Sequence, residues 1–401
     1  MMRQRWRQAV VMLAVTVVYC MVPAQLGATE KGEPVVIGEI IHIQSDILGE
    51  ERPLWVYVPG NYSVSRDSYP VLYLLDGGSH FHHVTGLVDF LSRRARIPPL
   101  IVVAVPNTDR NRDFLPTRVD QFPPTAGADK FLTFLKDELL PFVDRQYRTV
   151  PYRILVGHSY GGLFSIYSFL NSPELFNAYF VVSPSVYWDD RLMFKKAEGF
   201  FQKNRHLEKF IFLTTAGEDK EAIRSASRDF ARLLDKIAPE GVARHFRFMA
   251  EEDHNSTVHR TIYLALESLY PDWHIPRKQL ADMPLPEIQE HFRKLSGRYG
   301  YPIQAPESTV DLKGFLLHRE NKIEEAVAVL KSNVEHYPES VGAHLRLARI
   351  YEATGELDLA KKSLETAVKL AEKNQSPYLS LIKQRLSTLL EKIKSTKTKD
   401  R

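Results

Sequence analysis

Thiols are almost absent from this chain: of 401 residues only Cys20 is a cysteine. It sits in an N-terminal stretch with the layout of a secretory signal peptide over residues 1–24. Arg3, Arg5 and Arg7 form a basic start, residues 9–22 are nearly all apolar, and Val22-Pro23-Ala24 offers a cleavage point. The expected mature protein therefore has no thiol. It can use neither a disulfide, a cysteine nucleophile nor cysteine-ligated zinc. Export without disulfides is compatible with a periplasmic or secreted protein.

An excess of one charge is also missing. The chain carries 53 basic and 49 acidic residues, and three of the arginines belong to the leader. The remainder is close to neutral, so its charge points to no nucleic-acid partner. The apolar run of the leader is short for a membrane span, and no stable span is expected once it is cleaved. Hydrophobic content of 44% and charged content of 25% describe a globular chain.

What is present is alternation. Strand-like runs at 36–43, 54–58, 71–75, 100–105, 154–156, 179–183, 210–215 and 245–249 are interleaved with helical patterns such as 128–143, 163–169 and 223–237. The later runs are continuously apolar, as in strands covered by helices on both sheet faces. An α/β domain over residues 34–275 with a mainly parallel sheet is expected, its ligand site beyond the C-terminal strand ends. Prolines then break residues 276–306 into a connector with one helix near 287–295. From 307 to 394 a repeat takes over: Ala326, Leu330 and Val334 return as Ala360, Leu364 and Val368, a period of 34. This small all-α region resembles tetratricopeptide repeats, closed by a helix at 379–393, and its concave face would suit a protein partner. Residues 395–401 read as a mobile tail.

The stretch RILVGHSYGGLFSIY, from Arg153, contains Gly157-His158-Ser159-Tyr160-Gly161, a G-x-S-x-G sequence between a strand-like and a helical run. Such a turn lifts Ser159 clear of the sheet and leaves the Tyr160 amide free at a helix N-terminus. A serine hydroxyl is a weak nucleophile and needs a base, and the base an acid. In α/β-hydrolases the chain order is serine, acid, histidine. His254 follows the last strand-like run. The acid should follow the run at 210–215, where Gly217-Glu218-Asp219-Lys220-Glu221 offers three carboxylates. Asp219 is favoured, with Glu218 and Glu221 left open. Oxyanion donors are expected from the amide of Tyr160 and from Gly77 and Gly78, with Asp76 bracing their loop. His158 is read as a packing residue facing away from the serine. His80, His82 and His83 lie in one expected loop without carboxylates at ligand spacing, so no metal is assigned there. Arg110 and Arg112 follow the run at 100–105 and are candidates for holding an anionic substrate, with pairing to Asp109 and Asp113 as the alternative. Tyr187 and Trp188 are candidates for an aromatic pocket wall, with core packing as the alternative.

Taken together, YPVLYLLDG (69–77), NTDRNRD (107–113), GHSYGG (157–162) and SPSVYW (183–188) resemble the putative esterase family, in particular its siderophore-esterase-like branch with C-terminal repeats. The resemblance covers about residues 35–275. It implies an α/β-hydrolase fold and hydrolysis of a small-molecule ester without a cofactor. Two other readings stay open: an esterase that removes acetyl or feruloyl groups from carbohydrate, and a non-catalytic scaffold working through the repeats.

Overall fold

The structure, a computed structural model, describes residues 34–63, 65–120, 126–374, 376 and 378–399; the expected signal peptide lies outside them. Eight strands are β1 (Glu39–Ser45), β2 (Glu50–Tyr57), β3 (Tyr69–Leu75), β4 (Ile101–Val105), β5 (Thr149–His158), β6 (Ala178–Val182), β7 (Lys209–Ala216) and β8 (Val242–Met249). They form one sheet in the order β1-β2-β4-β3-β5-β6-β7-β8. β1–β2 and β2–β4 are antiparallel and all later pairs are parallel. This is the expected α/β-hydrolase fold. Each strand-like run in the sequence forms a strand. β5 starts five residues earlier than its apolar run because Thr149 pairs with Tyr69.

The domain helices are α1 (Gly77–Arg93), α2 (Arg110–Phe114), α3 (Ala128–Phe134), α4 (Leu140–Gln146, reached through a π-helical turn at Leu135–Leu139), α5 (Tyr160–Asn171), α6 (Trp188–Lys203), α7 (Glu221–Ile237) and α8 (Thr257–Leu269). Alternation along the strands sorts them into two layers. Val71, Tyr73, Leu75, Leu155, Tyr179 and Val181 meet residues of α3 to α7. Leu72, Leu74, Ile154, Val156, Phe180 and Val182 meet α1 and α8 on the other face. β3, β4 and β6 are consequently buried at every position.

The segment after α8 differs from the expected connector. It holds two helices, α9 (Arg277–Asp282) and α10 (Leu285–Tyr299), and belongs to the sheet's own core. Tyr270, Trp273, Phe292, Tyr299 and Tyr301 are buried in the same layer as α1 and α8. Burying one such ring is worth on the order of 2–3 kcal/mol, so this segment is held on the sheet rather than swinging from it.

Beyond it stand α11 (Glu307–Arg319) with α12 (Ile323–His336), α13 (Val341–Ala353) with α14 (Leu357–Lys373), and α15 (Leu379–Lys399). The helical pairs obey the sequence period. A Cβ on Gly314 would come within 2.6 Å of Leu330. One period on, Ala348 and Leu364 are both fully buried, so small residues at equivalent places set the approach of each pair. α15 continues through Lys399, past the point where a mobile tail was expected.

Candidate active site

Ser159 alone makes the turn between β5 and α5, with φ 59° and ψ −112°, a backbone state that a non-glycine residue holds only when its surroundings impose it. They do so here. Ser159 N–H donates to the Val182 carbonyl at 2.9 Å, and its own carbonyl accepts from Leu163 and Ser185. A Cβ at Gly157 would lie 2.1 Å from the Gly161 carbonyl oxygen and 2.4 Å from Ser165 Oγ, so only glycine fits there. Gly161 is less constrained: its nearest neighbour would be Asp76 Oδ2 at 3.1 Å.

Of the three carboxylates left open by the sequence, Asp219 is the one that reaches an imidazole. His254 Nδ1 lies 2.5 Å from Asp219 Oδ1. Asp219 Oδ2 accepts from Ser183 Oγ at 2.7 Å, Thr215 Oγ1 at 2.8 Å and Ala216 N–H at 2.7 Å. Burial alone would raise its pKa, but these bonds, that to His254 foremost, hold the carboxyl down to about 2. Glu218 is exposed, and Glu221 pairs with Arg224 at 2.5 Å. Ser183 and Thr215 were missed by sequence reasoning: a hydroxyl at a strand end carries no signal of the carboxylate it will meet.

The His254 loop is ordered by Asp253 Oδ1, which accepts from the amides of Asn255 and Ser256 at 2.6 and 2.8 Å. The His254 ring stands 4.5 Å from that of His158, the residue before the serine. Among the described residues no hydrogen bond joins Ser159 Oγ to His254. Such bonds are commonly long before substrate arrives and shorten with it.

Two helix N-termini converge beside this turn. The first amides of a helix have no partner within it; here they belong to Tyr160 in α5 and to Gly77 and Gly78 in α1. Leu74 pairs with Val156 across the sheet, which brings the two strand ends side by side. Gly77 is confined, since a Cβ would sit 2.8 Å from Val105 N, whereas Gly78 has open space.

The remaining candidates divide. Arg110 clasps Asp76 with both arms of its guanidinium, at 2.6 and 2.9 Å, and donates to the His158 carbonyl at 3.0 Å. Arg112 is tied to Glu50 at 2.6 and 3.0 Å and to Asp113 at 2.8 Å, beside buried Arg52. The Arg112 bond foremost holds Glu50 down to about 2. Arg112 is thus committed to a structural ion cluster rather than open to substrate. Trp188 is buried, stands edge-on to Tyr160 at 5.6 Å and donates to Thr117 Oγ1 at 3.1 Å; it covers the core. Tyr187 is half-buried.

The histidines depart most from expectation. His80, His82 and His83 sit on α1, not in a loop. His80 Nδ1 faces His83 Nε2 at 3.0 Å, and His83 Nδ1 faces His259 Nδ1 of α8 at 3.2 Å. The His80 ring also meets that of His158, at 6.0 Å. His158 is buried, as expected of a packing residue, and its ring lies against that of His254, so the row runs from His254 to the surface of α8. Burial first, then the neighbouring imidazoles, pushes His83 and His158 down to about 4. The two ring nitrogens of His83 serve different imidazoles, so these three side chains do not converge on a point. Among the described residues no group of three or more metal-ligating side chains is arranged to hold an ion.

This geometry can be set beside known proteins. The model of the putative esterase family matches residues 45–223, and that of a tetratricopeptide repeat matches residues 317–385. Ferri-bacillibactin esterase BesA of Bacillus subtilis is 33% identical over 231 residues, which are 51% of this chain and 80% of the relative. The chain belongs to the putative esterase family. It is accordingly a serine ester hydrolase, with a helical repeat region appended. The siderophore triacetylfusarinine C esterase of Aspergillus fumigatus is 30% identical over 43% of this chain and 64% of its own. Among solved structures, an IroE-like serine hydrolase from Shewanella oneidensis superposes with a TM-score of 0.66 at 28% identity, over 75% of this esterase and 99% of that chain.

Proposed function

We propose that this esterase opens carboxylic esters of siderophore-like molecules through an acyl-enzyme on Ser159. Ser159 Oγ attacks the ester carbonyl while His254 Nε2 takes its proton. Asp219 keeps the His254 proton on Nδ1 and offsets the charge that the imidazole gains. The amides of Tyr160 and of the Gly77-Gly78 turn hold the carbonyl oxygen as it becomes negative. His254 returns the proton to the departing alkoxide. Water then repeats the sequence on the acyl group, freeing the acid and restoring Ser159. The observation that carries the reading is the buried, four-fold hydrogen-bonded Asp219 on His254, beside a serine in a forced turn. The relatives whose names give siderophore esters as substrates support the substrate class.

Ser159→Ala should abolish turnover of a 4-nitrophenyl ester and labelling by a fluorophosphonate while leaving the protein folded; retained turnover would refute the assignment. A panel of siderophore trilactones against acetylated and feruloylated sugars tests the substrate, and preference for the sugars would overturn it. We also propose that residues 1–24 are a cleaved leader and that the enzyme works in the periplasm or outside the cell. N-terminal sequencing of the mature protein tests this. A binding role of the repeats for a protein partner rests on their architecture and is tested by whether deleting residues 307–401 spares turnover in vitro but not in cells.

A further inference from the structure

We propose that Arg110, one of the sequence's candidates for substrate binding, is instead a positioning residue that sets the oxyanion hole; this rests on the serine-esterase reading above. Four contacts carry it. The guanidinium holds both oxygens of Asp76 and the carbonyl of His158. It also lies 5.5 Å from the ring centre of Tyr160 and 5.5 Å from that of Phe114. Asp76 immediately precedes Gly77, His158 immediately precedes Ser159, and Tyr160 carries the other donor. One planar group therefore ties together the two chain segments whose amides must face a single oxygen. Arginine suits this because its fork fixes direction as well as charge.

Both tied segments are under backbone strain. Asp76 has φ 54° and Ser159 has φ 59°, left-handed values that side chains tolerate only under constraint. Asp76 is itself anchored a second time, by Asn107 Nδ2 at 2.6 Å, and is 6% exposed. Its carboxylate sits at the N-terminus of α1, where the oxyanion is to form. Two like charges placed together in a half-buried site repel strongly. By pairing with Asp76, Arg110 removes that repulsion at the moment the carbonyl oxygen becomes negative. Its effect thus falls on the transition state, not on the neutral ester.

The separation of effects is the test. Wild-type protein is first labelled with a fluorophosphonate at Ser159; no labelling would overturn the catalytic reading and this proposal with it. Given labelling, Arg110→Ala is expected to lower kcat on 4-nitrophenyl acetate by about 10–100-fold, less than or comparable to the loss of one oxyanion donor, with KM within about threefold. Affinity for a trifluoromethyl ketone, whose tetrahedral adduct puts an oxyanion in the hole, should fall by the same factor as kcat/KM. Added guanidinium should restore part of kcat. Arg110→Lys keeps the charge without the fork and should lose less; it also serves if the alanine variant does not fold. A raised KM with kcat intact would make Arg110 a substrate-binding group and overturn the proposal. An unchanged kcat and unchanged ketone affinity would overturn it equally.

Discussion

Replacing Asp219 by asparagine changes one atom and should cost nearly all turnover. Three donors, from Ser183, Thr215 and Ala216, point at Oδ2. In Asp219→Asn they select the amide oxygen for that place, which puts the NH2 group where Oδ1 now faces His254 Nδ1 at 2.5 Å. An NH2 group donates, so His254 must accept at Nδ1 and carry its proton on Nε2. It then presents Ser159 with an N–H instead of a lone pair. In serine triads this inversion lowers turnover about 10⁴-fold, or about 5.5 kcal/mol of barrier. Stability should suffer less. Asp219 shifts from 3.8 to about 2 on folding, worth about 2 kcal/mol at neutral pH, and the asparagine keeps three of the four bonds unchanged and reverses the fourth. The assay is turnover of a 4-nitrophenyl ester alongside circular dichroism. A folded Asp219→Asn protein within tenfold of wild-type kcat would refute the orienting role. Glu218→Gln and Glu221→Gln, whose side chains do not meet the imidazole, serve as controls and should be near wild type.

Gly157→Ala should misfold or lose activity, because its Cβ would stand 2.1 Å from the Gly161 carbonyl oxygen, while Gly78→Ala, with open space, should fold and keep turnover; thermal melts and turnover compare the two. Acid should weaken the protein in two stages. His83 and His158 titrate near 4 when folded against an ordinary 6.5, so the unfolded chain binds more protons between those values. Stability is therefore full above about pH 6.5 and falls as pH drops toward 4. Asp219 adds a further loss below 3.8, as pH falls toward about 2. Denaturant midpoints across pH check this, and His83→Gln should shrink the upper stage to the part that His158 carries; a flat wild-type profile between pH 6.5 and 4 would contradict it.

Period and punctuation carried the fold. Eight apolar runs became eight strands, the central ones β3, β4 and β6 buried at every position between helices, and the spacing of Ala326 and Ala360 marked the repeats because paired helices admit only small residues at close approach. The serine turn was legible for a similar reason: glycine at 157 is a local steric demand, written in the chain next to the residue it serves. α1 was not read, although Phe81, Val84, Leu87, Val88 and Leu91 repeat at helical spacing, since Gly77, Gly78 and three histidines masked its start. What no local pattern could specify were the partnerships between distant side chains. Glu218, Asp219 and Glu221 are chemically equivalent along the chain, and only the closing of β7 against β6 and β8 brings Ser183, Thr215 and His254 around one of them. The same holds for Arg110: its charge suggested an anion, but folding delivered Asp76 and the His158 carbonyl first. Sequence determines which groups a site can draw on, while tertiary contact decides which are already spent, because a buried charge takes the nearest partner that compensates its loss of water.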